Sequence, residues 1–557
     1  MPIKGNLNTR KGPHGRLSAI VTAIGLLAGS ASLAQTAPVA PQPETISSEL
    51  LRQQQRETER LEMQRQLEQR RESVLEAPAP SRQTLPQDVS VRFELQSVTF
   101  SSSEILDQTT LDAIVTPYLK QTIGFAELQK IVADINRLYD EKGFMTARAV
   151  LPPQRIEQGH VRVELVEGKI GQVHVEGNSY MNTDFILSRL PLEQGVLLQP
   201  RELESELSRF NRGSAAKVSA SLQPGKEYGQ TDVYVAVTEP QRTSLDLFIN
   251  NHGYESTGEA QGGIMFRHYG LLGRDDLLSI FGAGSRGASV GSLSYDFPIN
   301  SLGGRLGARV GASSAKVING PFRALNSVSD SENAEVFLSH PLWSNNDWWL
   351  SGNLSYGQQR SKNYIATVFL NENRVETTQA DLSALYLAEN RSLRVGAGYR
   401  RAASQVSGTT RRQNFDLWTG YWQFYQGLNT DWFLTSSGAW QYSHEQGLPS
   451  SQVFQIGGAA TVRGYRQGEL AGDGGLYGNL QLNYRANDKT TLFGFYDYGQ
   501  VDTSFIQPDR LDSVGGGMNF QLDPRINFEI HVGHPLNKVR SDLDSVYINM
   551  QLVFKLL

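Results

Sequence analysis

The chain has 557 residues, enough for more than one domain and for large buried surfaces. Its formal charge of −5, from 52 Lys+Arg against 57 Asp+Glu, gives no electrostatic footprint for a nucleic-acid partner. Cysteine is absent, which excludes disulfides and thiolate metal sites, whereas 53 glycines and 21 tyrosines point to many tight turns and interfacial aromatics.

At the N-terminus, Lys4, Arg10, Lys11 and Arg16 precede an apolar run over residues 17–28 and small residues ending Ser32-Leu33-Ala34. That order predicts a signal peptide over 1–34. A membrane anchor is the competing reading, but its apolar run is shorter than the roughly 20 residues a helical span needs. Residues 35–76 read as a leader followed by a helix: 35–44 are rich in Pro, Ala and Gln, and from Ser47 to Glu76 the chain is built of Glu, Arg, Gln and Leu with Ser available as N-cap. Its apolar residues, among them Leu50, Leu61, Leu67 and Leu75, form no continuous stripe. Such a helix is either solvated or a polar rod inside a water-filled pore. At about 1.5 Å per residue it would run about 43 Å, near a full membrane thickness. Residues 77–90 are a Pro-rich extended linker.

From 91 to 168 the periodicity runs strand, helix, helix, strand, strand, and the same order recurs over 169–240. Two copies of one small α+β unit of about 75 residues are predicted. Beyond Pro240 the helical patterns stop. Residues 241–557 show segments of about ten alternating residues split by Gly, Asn, Asp and Ser turns, the mark of a transmembrane β-barrel. In the last segment Ile548, Met550, Leu552, Phe554 and Leu556 oppose Asn549, Gln551 and Lys555. A soluble β-sandwich also alternates, but its strands are usually shorter. Eleven candidate strands precede "GGAATVRGYR" and five follow, making sixteen if the stretch of about 449–474 is a loop. A barrel of that size has an aqueous lumen unless something fills it, and the polar helix has the right length.

In "TTLFGFYDYGQ", Leu492, Gly494, Tyr496 and Tyr498 share one face and Phe495, Asp497 and Gly499 the other. Asp497 cannot face lipid. It points inward, where a partly desolvated carboxylate favours an arginine fork. Arg463 could supply one from a loop folded into the lumen, with Gly464 letting the backbone approach the wall and Tyr465 as anchor. The bland alternative is an exposed loop charge worth little.

Val462, Arg463, Gly464 and Tyr465 ("VRGY"), preceded by "VFQIGG" and followed by "FYDYG" at 495–499, resemble the paired motifs of the outer-membrane transporters of two-partner secretion systems. "EKGFMTARAVLPPQRIEQGHVRVELVEGKI" resembles that family's first POTRA (polypeptide-transport-associated) domain, including Gly143, Phe144, Pro152, Gln154, Gly159, Glu167 and Gly168. The second POTRA is similar in "LEQGVLLQPRELESELSRFNR", and the barrel entrance in "NNHGYESTG" and "LLGRDDLL". The resemblance implies a sixteen-stranded antiparallel barrel with an N-terminal helical plug and two periplasmic α+β POTRA domains. It implies a protein-export pore in the bacterial outer membrane that takes a partner exoprotein, an adhesin, cytolysin or contact-dependent toxin, without nucleotide hydrolysis. Outer-membrane lipid and, during biogenesis, the barrel-assembly machinery are the other implied partners. Arg463 and Asp497 are then the lumen lock, with Val462, Gly464, Tyr465, Phe495 and Gly499 around them. The chain departs from the family in ending Phe554-Lys555-Leu556-Leu557 rather than in an aromatic residue. The rival implied by related folds is a barrel-assembly insertase; a passive pore leaves the two periplasmic units unexplained. No catalytic group, cofactor or metal site is expected: "HEQGL" at His444 begins like a zinc-protease motif but carries Leu448 where the second histidine belongs.

Overall fold

A computed structural model describes residues 43–46, 49, 75–76, 92–320, 323–345, 347–409, 412–502 and 509–557, all within one unit spanning Ala40–Leu557. The signal peptide and most of the leader, helix and linker expected over 35–90 lie outside the described residues. Two corrections to the helix come from its ends. Residues 43–46 are already helical, upstream of the expected Ser47 cap, and Leu75–Glu76 form a strand, β1, rather than the last helical turn. The neighbouring sheet supplies the reason, because an unpaired edge there offers backbone hydrogen bonds to a segment leading into a proline-rich stretch.

The first α+β unit contains β2 (Phe93–Glu94), β3 (Ser97–Phe100), helix Gln108–Val115, β4 (Thr122–Ile123), helix Phe125–Glu141, β5 (Arg148–Val150) and β6 (His160–Val166). In the second follow β7 (Lys169–Glu176), helices Thr183–Leu187 and Pro200–Gly213, β8 (Lys217–Pro224) and β9 (Gln230–Thr238). The topology repeats: β3 runs parallel to β6 as β7 does to β9, and β5–β6 and β8–β9 are antiparallel pairs. In the second unit β1 extends the sheet, with Leu75 opposite Ala220 in parallel. Leu128, Ile131, Ile135 and Tyr139 recur at helical spacing and bury one face of their helix against Val161, Val163 and Leu165. Each fully buried side chain of that size contributes about 1.5–3 kcal/mol.

Residues singled out by resemblance hold this unit's corners. Glu167 accepts hydrogen bonds from the Tyr139 hydroxyl at 2.9 Å and the Glu104 N–H at 2.7 Å. Burial, reinforced by that carboxylate, pushes the Tyr139 phenol well above its usual pKa. The Gln154 amide completes the ladder of β6 like an extra strand residue, donating to the Arg162 carbonyl and accepting from its N–H, both at 2.7 Å.

The barrel's first eleven strands are β10 (Thr243–Asn250), β11 (Gln261–Tyr269), β12 (Leu277–Gly284), β13 (Ala288–Pro298), β14 (Arg305–Lys316), β15 (Val328–Ser344), β16 (Trp348–Ile365), β17 (Val368–Ala388), β18 (Arg391–Val406), β19 (Arg412–Gly427) and β20 (Trp432–Ser443). A two-stranded ribbon, β21 (Phe454–Ile456) with β22 (Leu470–Gly472), stands apart inside the following loop. Then come β23 (Gly474–Asn487), β24 (Thr490–Asp502), β25 (Asp509–Asp523), β26 (Ile526–Pro535) and β27 (Tyr547–Lys555). Among the described residues sixteen antiparallel strands close on themselves, β27 pairing with β10 from Asp246↔Lys555 to Asn250↔Gln551. The eleven-plus-five division is the one the alternation predicts.

Side chains sort as a lipid-solvated cylinder requires. Leu354, Leu382, Leu480 and Ile548 are exposed on the outer face, while Ser361, Asn483 and Asn549 are buried inside. Outer aromatics gather at two levels, Trp348 tilted against Tyr386 and Trp432 against Tyr484 toward the periplasmic ends, Tyr356, Trp418 and Tyr442 higher up. Strand length is uneven: β10 has 8 residues and β12 has 8, whereas β16 has 18 and β17 has 21.

The second α+β unit is fastened to the periplasmic turns. Arg189 donates from both Nη atoms to the Asn300 carbonyl at 2.9 and 2.7 Å, and Arg212 Nη1 donates to the Trp348 carbonyl at 2.8 Å. Buried Asp275, in the turn after β11, accepts from the Ala215 N–H at 3.1 Å and pairs with Arg305 Nη1 at 2.9 Å. These contacts seat the unit at the periplasmic entrance of the lumen.

Candidate functional site: the arginine loop inside the lumen

Residues 444–473, between β20 and β23, leave the extracellular rim and fold back into the barrel. Glycines at φ +105 (Gly457), +98 (Gly458) and +97 (Gly464) give the tip a path that β-carbons would strain. Arg463 reaches β24 in a fork: Nε donates to Asp497 Oδ2 and Nη2 to Oδ1, both at 2.8 Å, and the Arg463 backbone N–H adds a third bond to Oδ2 at 2.9 Å. The guanidinium carbon lies 3.6 Å above the Phe495 ring centroid, and Nη1 donates to Gln481 Oε1 at 2.7 Å. The Asp497 side chain is 0% exposed and that of Arg463 9%, so the pair is desolvated and its hydrogen bonds are charge-assisted.

The structure brings all seven sequence-derived residues together. Val462 is fully buried against Gly499, where an added β-carbon would stand 2.8 Å from Val462 Cγ2. Gly464 crosses β25 and β26 so closely that a β-carbon would lie 3.2 Å from the Gly533 carbonyl carbon. Tyr465 is 1% exposed; its hydroxyl donates to the Asp512 carbonyl at 2.9 Å, with the Asn537 carbonyl 2.8 Å away, and accepts from the Asp512 N–H at 3.3 Å. Partners that sequence reasoning missed include Gln481 and Asn479, whose side-chain amide donates to the Thr461 carbonyl. Both sit on the polar face of "LYGNLQLNY", so the signal was present. Asn537, in the loop before β27, carried none.

The N-terminal segment also reaches the wall. Glu44 accepts from Asn363 Nδ2 at 3.0 Å and Asn373 Nδ2 at 3.1 Å, on β16 and β17, and Ile46 is fully buried among Tyr254, Met265 and Phe281. Deeper, a lumen cavity of about 500 Å³ is lined by polar side chains such as Arg309, Asn333, Gln379, Asp381 and Arg400. His444, at the start of the loop, meets the Tyr442 hydroxyl on β20, and among the described residues no cluster of three metal-ligating side chains occurs.

A closed, polar-lined cylinder in the outer membrane, carrying two periplasmic POTRA units and an arginine loop locked inside its lumen, defines a polypeptide transporter. The comparisons give the family: residues 229–521 match haemolysin secretion/activation protein ShlB/FhaC/HecB, and residues 93–168 match the ShlB-type POTRA domain. The chain belongs to that family of two-partner secretion transporters. It is 24% identical over 521 residues to the outer membrane transporter CdiB of Dickeya dadantii, covering 87% of this chain and 90% of that one. To the heme/hemopexin transporter protein HuxB of Haemophilus influenzae it is 22% identical over 459 residues, 77% of this chain and 81% of the other. The solved structure of CdiB from Escherichia coli shares the fold, with a TM-score of 0.68 at 19% identity over 94% of this chain and 100% of that one.

Proposed function

We propose that this transporter exports a large β-helical exoprotein, of the adhesin, cytolysin or contact-dependent toxin class, and that Arg463 and Asp497 hold the lumen shut until the partner arrives. The partner's N-terminal secretion domain adds to POTRA strand edges through backbone hydrogen bonds, a mode tolerant of sequence. The edge of β8 supports this mode, since Leu75 and Glu76 of the chain's own N-terminal segment already add to it in parallel. The N-terminal helix then leaves the lumen, the loop carrying Arg463 shifts, and the partner threads past polar walls. No catalysis or cofactor is assigned; folding of the partner outside supplies direction. During biogenesis the barrel-assembly machinery reads the C-terminal strand, where Phe554 pairs with Leu247 and Ile526 across both neighbours.

The observation that carries this reading is the obstructed lumen, in which Glu44 and Arg463 are each bonded to the inner wall. Deleting residues 35–76 should raise single-channel conductance in planar bilayers. Unchanged conductance would remove the plug from the mechanism. Photo-cross-linkers placed in the POTRA units should trap the partner's N-terminal segment; capture of nascent barrel proteins instead would make the chain an insertase.

A further inference from the structure

The loop joining the first two barrel strands, residues 251–260, touches the N-terminal segment on one side and the arginine loop on the other. Tyr254 takes part in both contacts. It is 1% exposed, and its ring shares a buried cluster with Ile46, Met265, Phe281 and Val290. Its hydroxyl donates to Gln455 Oε1 on the ribbon strand β21 at 2.6 Å. Gly468, at φ +66, lies so near that an added β-carbon would be 2.6 Å from Tyr254 Cε1. The next residue, Glu255, accepts Arg466 Nη1 at 2.8 Å. Strand β21 and the turn leading into β22 are therefore braced by two adjacent residues of one short loop.

From this geometry we infer that Tyr254 is a positioning residue for transport: it couples occupancy of the lumen by the N-terminal segment to the seat of the arginine loop. Withdrawing Ile46 removes packing from one side of the ring, and a close-packed interior does not leave such a void without rearranging. Ring movement breaks a directional hydrogen bond on the other side, because O–H···O bonds weaken steeply off their axis. Unseating the ribbon, conversely, exposes the ring and loosens the nest that holds Ile46. The coupling is reciprocal, as linkage demands. A phenylalanine would fill the nest equally well, so the hydroxyl is the directional part of the contact with the loop.

The inference rests on the N-terminal segment acting as a plug, and its test separates the two ideas. The chain has no cysteine, so A460C in the arginine loop and K489C in a periplasmic turn can be spin-labelled uniquely in the full-length protein. Both positions are exposed. Electron–electron distance distributions are recorded with and without residues 35–76, alongside single-channel conductance. In the native background the truncation should shift the distribution; in Tyr254→Phe, and independently in Gln455→Leu, that shift should fall by at least half. A full native-sized shift in both variants overturns the coupling. So does an unmoved loop in the native background while conductance rises, which leaves the plug intact. If conductance also stays flat, the plug reading fails and takes the coupling with it.

Discussion

Replacing Arg463 by alanine would leave the buried Asp497 carboxylate with the backbone N–H of residue 463 as its remaining partner from the loop, in place of two further charge-assisted bonds. Breaking a desolvated pair in this way costs about 3–5 kcal/mol, because an uncompensated buried charge remains. At about 1.4 kcal/mol per decade, the equilibrium between seated and unseated loop moves by roughly two to four powers of ten. Lysine at 463 should fall between, since it restores a charge but neither the fork nor the stacking on Phe495. Exchanging the two residues, Arg463→Asp with Asp497→Arg, should recover secretion and seating only in part. The N–H of residue 463 is aimed at an acceptor, and an arginine at 497 offers none. Amide hydrogen exchange over residues 459–466 is the assay, with channel open probability as a second readout. Native-like protection in Arg463→Ala would refute the reasoning, since it would mean the loop is seated by other contacts.

The neighbouring contacts give further outcomes. Gly499→Val should push the loop off β24, because even a β-carbon there meets Val462 at 2.8 Å, and conductance should rise without loss of the heat-modifiable folded barrel on gels. Tyr465→Phe removes the hydroxyl that serves Asp512 and should weaken loop seating by about 1–3 kcal/mol, read as faster exchange in the same peptides. In the first POTRA unit Ile131→Ala should cost about 2–5 kcal/mol and make that unit protease-sensitive while the barrel persists. Lys217, at the start of β8, has its ammonium pKa pushed down to about 8 by burial. Between about pH 8 and the unfolded value of about 10.4 the unfolded chain binds more protons, so the second unit should gain stability as pH rises through that window. Denaturant midpoints followed in that unit should show the rise, and Lys217→Met should flatten it.

Much of this architecture was legible because two periods differ. Alternation over "LYGNLQLNY" and "TTLFGFYDYGQ" separates lipid from lumen, so Asp497 could be placed inside before any partner was known. The tip of the arginine loop was legible because the stretch 457–466 is too glycine-rich for a stable helix and too short of alternation for a strand, whereas the ribbon β21–β22 flanking it was not. The N-terminal boundary of the helix was not, because Ser47 is an adequate cap on propensity alone and nothing local says that Glu44 meets Asn363 and Asn373 on strands more than 300 residues away. Strand β1 was equally hidden: Leu75 and Glu76 are good helix formers, and only the edge of β8 makes them extended. Tyr254 and Gln455 meet across 201 residues, and no periodicity reports a contact of that kind.

The uneven strands leave an exit with a tall flank and a low one. Along strands tilted by about 40°, 21 residues climb roughly 50 Å and 8 residues roughly 20 Å. A polypeptide emerging there passes a tall palisade on the β16–β17 side, whose tip exposes Val368, Phe369 and Leu370, and reaches open solvent first above β10–β12. A chain leaving the lumen therefore meets solvent off-centre, beside a wall on one side only.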